Sequence, residues 1–293
     1  MQLEVRDGWV AFSSARSEGI WRINYCVAPI APSKFATIGN RWQLLERGDV
    51  AVLEQSRRRV LIWPSMGEVR TVASGCDEST SRFWMTRGNG LVTARVNSDN
   101  ATWTIGQGGC GQPFVPLAKF ADSSVVFDGD SLVFANGTDL VRMSQSSGHW
   151  ALSVVLAGGA GSSTPARHAV GYVGGRVYAA STKVPVEKRG MGEGIFTVSA
   201  VHEVATKSGA PWTETPWCMA ANSHGLVACH KGRVEYFDAS TGAIVDIGVA
   251  GEVVYEVDGW LDRAPVVAIA DDGTLAWASW PDRRLHIRHA PCR

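Results

Sequence analysis

Apolar positions along this chain fall in short runs and strict alternations, each closed by Gly, Asn, Asp, Ser or Pro. The three-to-four spacing of an amphipathic helix is nearly absent, so the pattern predicts strands and hairpins. One unit recurs seven times: a turn, a short apolar strand, a second turn and a second apolar strand. The first strands begin at Gly8-Trp9-Val10-Ala11, Gly48-Asp49-Val50-Ala51, Gly90-Leu91-Val92, Ser131-Leu132-Val133, Arg176-Val177-Tyr178, Gly225-Leu226-Val227-Ala228 and Thr274-Leu275-Ala276. Their partners run from Ile20, Val60, Thr102, Leu140, Ile195, Val234 and Leu285. A further strand precedes each pair, as at Trp42-Gln43-Leu44-Leu45. Another follows in most units, as at Leu152–Leu156 and Val201–Thr206. The prediction is seven small antiparallel sheets of four strands. Val253–Val257 falls out of register and is expected as the inner strand of a last unit with a different phase.

A period of about 40 to 50 residues is that of propeller blades. One four-stranded sheet cannot bury both faces alone, and radial stacking solves this. Val266-Val267-Ala268-Ile269-Ala270-Asp271-Asp272-Gly273-Thr274-Leu275-Ala276 resembles a WD40-type or YVTN-type blade. Arg233-Val234-Glu235-Tyr236-Phe237-Asp238-Ala239-Ser240-Thr241-Gly242 resembles the blade turn of quinoprotein-type propellers. The resemblance implies an all-β fold: a seven-bladed β-propeller of four-stranded antiparallel blades. It forms a single domain over 1–293, with blades near 1–40, 41–76, 77–120, 121–161, 162–211, 212–251 and 252–293. Val10, Val50, Val92, Val133, Val177, Val227 and Ala276 are then expected between blades. Trp21, Trp63 and Trp103 are expected as inter-blade packing.

Charge narrows the partners. The 28 basic and 28 acidic residues cancel, which gives no broad basic field for nucleic acid. No stretch is long and apolar enough for a membrane helix, and Met1–Asp7 does not read as a leader. The expected location is cytoplasmic or virion-associated. Six cysteines include no C-x-x-C pair. They are expected as small buried hydrophobes, reduced in a reducing compartment. If Ser223-His224 is a two-residue turn, Cys218 faces Cys229.

Candidate chemistry is sparse. No nucleophile elbow, phosphate loop or metal spacing occurs, so no catalytic residue, metal or cofactor is assigned. The longest insertion, Ser181–Gly194, carries Lys183, Glu187, Lys188 and Arg189. Insertions in repeats map to one face, often a binding face. Aligning the units places Arg41, Arg82, His168 and Trp217 in one column, with Arg167 beside it. This is a candidate basic and aromatic rim for a ligand or partner. Arg47-Gly48-Asp49 spells an adhesion tripeptide but occupies an ordinary hairpin turn. The leading expectation is a non-enzymatic scaffold for protein partners, as a subunit of a larger complex or virus particle. The alternatives are a lyase, hydrolase or cyclase with its site at a channel mouth, and a sugar-binding propeller.

Overall fold

In the computed structural model, the described residues are 2–13, 19–27, 33–35, 41–87, 90–98, 102–120, 125–127, 130–136, 139–146, 149–156, 167–173, 176–182, 198–203, 218–230, 233–238, 240–246, 252–256, 266–279 and 284–288. Among them are 27 strands and two short 3-10 turns, with no α-helix. The first sheet is β1 (Gln2–Arg6), β2 (Trp9–Ser13), β3 (Ile20–Asn24) and β4 (Ser33–Phe35). The second is β5 (Arg41–Leu44), β6 (Val50–Glu54), β7 (Arg59–Trp63) and β8 (Arg70–Ser74). The third is β9 (Thr80–Met85), β10 (Leu91–Val96), β11 (Trp103–Gly109) and β12 (Gln112–Phe120). The fourth is β13 (Val126–Phe127), β14 (Ser131–Asn136), β15 (Asp139–Ser146) and β16 (His149–Leu156). The fifth shows three strands, β17 (Arg167–Val173), β18 (Arg176–Thr182) and β19 (Val198–Glu203). The sixth is β20 (Cys218–Ala221), β21 (Gly225–His230), β22 (Arg233–Asp238) and β23 (Ile244–Asp246). The seventh holds β24 (Glu252–Glu256), β25 (Val266–Ile269), β26 (Leu275–Ser279) and β27 (Arg284–Arg288).

The first six sheets run in chain order, each strand pairing with the next one in sequence. Asp7 and Gly8 both take positive φ between β1 and β2, as a tight hairpin requires. Asn222 closes the β20–β21 turn by accepting from the His224 and Gly225 N–H groups at 2.9 and 2.8 Å. Asp238 does the same in the turn after β22, accepting from the Ser240 and Thr241 amides.

Two expectations fail on topology. The seventh sheet has the order β24-β27-β26-β25, so Val253 pairs with Ile287 on the outer side. The out-of-register strand is an edge, not the inner strand of its sheet. In the fifth sheet, Val201 pairs with Ala180 of β18, so β19 is the second central strand. The apolar pattern predicts Val201 one strand further out. Both stretches are apolar, and apolar alternation does not say which partner a strand takes.

The chain divides into two compact units. One comprises Met1–Asn100, Thr104–Pro116 and Gly248–Arg293, the other Ala101–Trp103 and Leu117–Ile247. In the first unit three apolar layers lie between sheets. Leu3, Val10, Phe12 and Ile23 pack against Ala276, Leu285 and Ile287, joining the first sheet to the seventh. Ala11 and Ile20 meet Trp42, Leu44, Val50 and Val52 between the first and second. Leu53, Val60 and Ile62 meet Phe83 and Met85 between the second and third. In the second unit, Phe120 and Phe134 pack at 5.7 Å, and Trp103 stacks on Phe120 at 5.6 Å. Val10, Val50, Val92, Val133, Val227 and Ala276 are all buried as expected. The Val177 side chain lies outside the described residues.

The cysteine reading needs correction. Cys76 and Cys110 form a disulfide, and Cys26 is disulfide-bonded too. Cys76 sits in the connector after β8 and Cys110 in the β11–β12 turn. The Gly111 N–H donates to the Gly75 carbonyl at 3.2 Å and draws the two segments together. Cys218 does stand opposite Cys229 in the backbone register.

Candidate functional site

Alternation along β1 splits its side chains between two neighbours. Leu3 and Val5 face the seventh sheet. Gln2 and Glu4 reach the second. Gln2 Nε2 donates to the Trp42 carbonyl at 2.6 Å and to Glu4 Oε1 at 2.8 Å. The Leu44 N–H donates to Glu4 Oε2 at 2.6 Å. Two side chains of β1 thus occupy the inner-strand edge of the next sheet, whose amide and carbonyl have no strand beside them there. Burial raises the Glu4 carboxyl to about 7, against the Leu44 N–H, Gln2 and the Arg6 charge, which pull it down.

The next sheet repeats the device. Glu4 pairs with Ala11 one position from Val5–Val10, and Gln43 pairs with Ala51 one position from Leu44–Val50. Gln43, only 7% exposed, donates Nε2 to the Met85 carbonyl at 3.0 Å and accepts the Met85 N–H at 2.8 Å. Aligned repeats hold the signal for this, a Glu and a Gln in one column. Sequence reasoning passed it over because polar residues on strands usually face water.

Other polar groups in the first unit also serve joints between sheets. Arg22 of β3 donates to the Gly48 and Pro64 carbonyls, both at 2.9 Å, and its guanidinium lies over the Trp9 ring. Burial lowers its pKa, partly countered by Asp49. The Tyr25 hydroxyl accepts the Gly8 N–H at 3.0 Å and donates to Asp272 at 3.1 Å. Burial carries that phenol to about 12. Gly48 is buried at positive φ under Trp9, and a Cβ there would overlap the indole. Asp49 accepts the Ser65 N–H at 2.8 Å. The Arg47-Gly48-Asp49 turn is therefore built into the first joint.

Of the predicted rim residues, Arg41 is exposed and Arg82 half-buried. Arg41 pairs with Leu53 and Arg82 with Ala94, each three pairs in from Leu44–Val50 and Met85–Leu91. The two positions are equivalent in the second and third sheets. Arg167 and His168 lie on β17 opposite Ser181 and Ala180 in the backbone register, and their side chains are outside the described residues. Trp217, Lys183, Glu187, Lys188 and Arg189 also lie outside them. His286 stacks on Trp277 at 5.0 Å, and burial lowers its pKa. Among the described residues no three His, Cys, Asp or Glu side chains gather as metal ligands. No described helix is long and apolar enough to cross a membrane.

No family model and no curated protein matches the chain. Solved structures do. Virginiamycin B lyase from Staphylococcus aureus aligns with a TM-score of 0.55 at 11% identity, over 98% of this chain and 94% of that one. AztD from Citrobacter koseri aligns at 0.55 and 12% identity, over 99% and 83%. KlHsv2, with its loop 6CD replaced by a Gly-Ser linker, aligns at 0.54 and 14%, over 97% and 90%. Identities this low speak for the fold alone, and with the antiparallel four-stranded sheets they establish a β-propeller fold.

Proposed function

We propose that this chain is a binding propeller, a single-domain scaffold that presents loops to protein partners within a larger assembly. The observation behind this reading is how the polar groups of the first unit are used. Gln2, Glu4, Arg22, Tyr25 and Gln43 are each held by a neighbouring sheet. They fasten sheets rather than converge on a substrate. The exposed Arg41, with Arg82 at the same register, offers charge to a partner. In the second unit the candidates are Arg167, His168, Trp217 and the insertion with Lys183, Glu187, Lys188 and Arg189.

One observation favours an enzyme: a carboxyl titrating near neutrality suits acid–base catalysis. The repeat speaks against it. Gln43 makes the equivalent contact with an amide that cannot transfer protons, so the position serves a joint.

The test is affinity capture from the source organism with partners identified by mass spectrometry. Deletion of residues 184–192 or Arg41→Glu should leave circular dichroism unchanged and remove the same named proteins. Equal recovery by parent and both variants would remove these regions from the reading. Turnover of a defined substrate, lost in Arg82→Ala or His168→Ala, would replace scaffold by enzyme.

A further inference from the structure

The geometry points to Cys76–Cys110 as a permanent covalent staple between the second and third sheets, made where thiols are oxidised, so that the mature protein resides in an oxidising compartment. Three observations carry this. The first is placement. Cys76 follows the edge strand of one sheet and Cys110 sits in the outer hairpin of the next, 34 residues away. The bond therefore joins neighbouring sheets and closes a loop through the core of the third.

The second is conformation. Cys110 has φ 50 and Gly111 φ 85 in the β11–β12 turn. Tight turns with two positive φ values take Asn, Asp or Gly, and a cysteine is a poor choice on backbone grounds. The two residues before the turn, Gly108 and Gly109, also take positive φ. A Cβ on Gly111 would lie 2.7 Å from the Ser74 carbonyl oxygen. The backbone is shaped so that this turn touches the connector, and the residue at its apex is the one whose sulfur can bond across.

The third is burial. Cys76 is 1% exposed and Cys110 5%, beneath Leu53, Val60, Ile62, Phe83 and Met85. A switch needs a sulfur that a reductant can reach. These sulfurs cannot be reached without opening the joint, so the bond is structural. Cys26 is bonded as well. Such usage belongs to oxidising compartments and is rare where thiols are kept reduced.

Formation removes two protons and two electrons from the Cys76 and Cys110 thiols. The acceptor is the disulfide of a thiol–disulfide oxidoreductase or of a small oxidised thiol. One cysteine thiolate attacks that disulfide to give a mixed disulfide and one free thiol. The second cysteine thiolate then displaces the other oxidant sulfur, leaving the staple and the oxidant's two sulfurs as thiols that carry the two protons.

The test is a tryptic map of alkylated, unreduced protein taken from its native host. Cys76 falls in peptide 71–82 and Cys110 in 96–119. The two peptides should appear as one linked species. Native protein in dithiothreitol should keep the link for hours, and denatured protein should lose it at once. Cys76→Ser with Cys110→Ser should lower the melting temperature by about 6 °C. Folding should survive that change, since the Cys76 N–H to Arg58 carbonyl bond and the Gly111–Gly75 bond are backbone only. Two separately alkylated peptides from the host protein would overturn the compartment. Rapid reduction of the native protein, or a double variant melting with the parent, would overturn the staple. Should the double variant fail to fold, parent reduced under denaturant and refolded with blocked thiols gives the same comparison.

Discussion

The joint between the first and second sheets and the joint between the second and third use the same place in the repeat with different chemistry. At the first, Glu4 accepts the Leu44 N–H, and Gln2 supplies the donor for the Trp42 carbonyl. At the second, Gln43 serves donor and acceptor of Met85 by itself. A carboxylate can accept but not donate, so the acidic version needs a helper and the amide version does not. The difference extends to burial. Gln43 is neutral at every pH and its joint carries a buried disulfide. Glu4 must carry its charge at a site where burial has removed water, and the joint between the first and second sheets therefore responds to protons.

The largest effect is expected where one change strikes an apolar layer outright. Val50 is fully buried in the layer between the first and second sheets. Val50→Asp should cost about 4 kcal/mol or more in urea unfolding, because an unpaired charge enters an apolar layer. Gln43→Glu sharpens the comparison by writing the first joint's chemistry into the second. It removes the donor to the Met85 carbonyl and sets two oxygens face to face, and the residue at the Gln2 position of this sheet is the exposed Arg41. Expect a loss of about 3 kcal/mol at neutral pH, partly restored on acidification. Gly48→Ala should cost about 2 kcal/mol, from positive φ and the Trp9 indole above it. Near-neutral results for Gly48→Ala would say that Trp9 is not fixed against this turn.

Strands were legible because their signal is local. Val50-Ala51-Val52 and Val60-Leu61-Ile62 are apolar runs between turn residues, and each became a central strand. Turns were legible for the same reason, as Ser223-His224 shows between β20 and β21. Placement of β24 was not, since Val253 carries no mark of its partner Ile287. Nor was the Cys76–Cys110 bond, because two cysteines 34 residues apart look alike whether they touch or not. Arg41 and Arg82 align in the sequence, and they stand at equivalent register positions of their sheets. Glu4 and Gln43 were visible as letters but not as fasteners, since their partners are backbone groups, and backbone groups leave no trace in sequence.

The most direct test of these joints compares the parent with Glu4→Gln in denaturant unfolding across pH. The Glu4 carboxyl rises from an ordinary value near 4.5 to about 7 in the folded protein. Its proton is then bound more tightly folded than unfolded, so its contribution is complete below the ordinary value and lost as pH rises through about 7. Arg6 is the charged neighbour that limits this loss; Glu46 lies 3.9 Å from Arg6, β5 carries Arg41, and β2, β25 and β26 bring no carboxylate or cation to the strand. From about pH 5 to about pH 8 the parent should lose about 2 kcal/mol relative to Glu4→Gln, which places at the first joint the amide that already works at the second. Parallel stability curves for the two proteins would contradict the account.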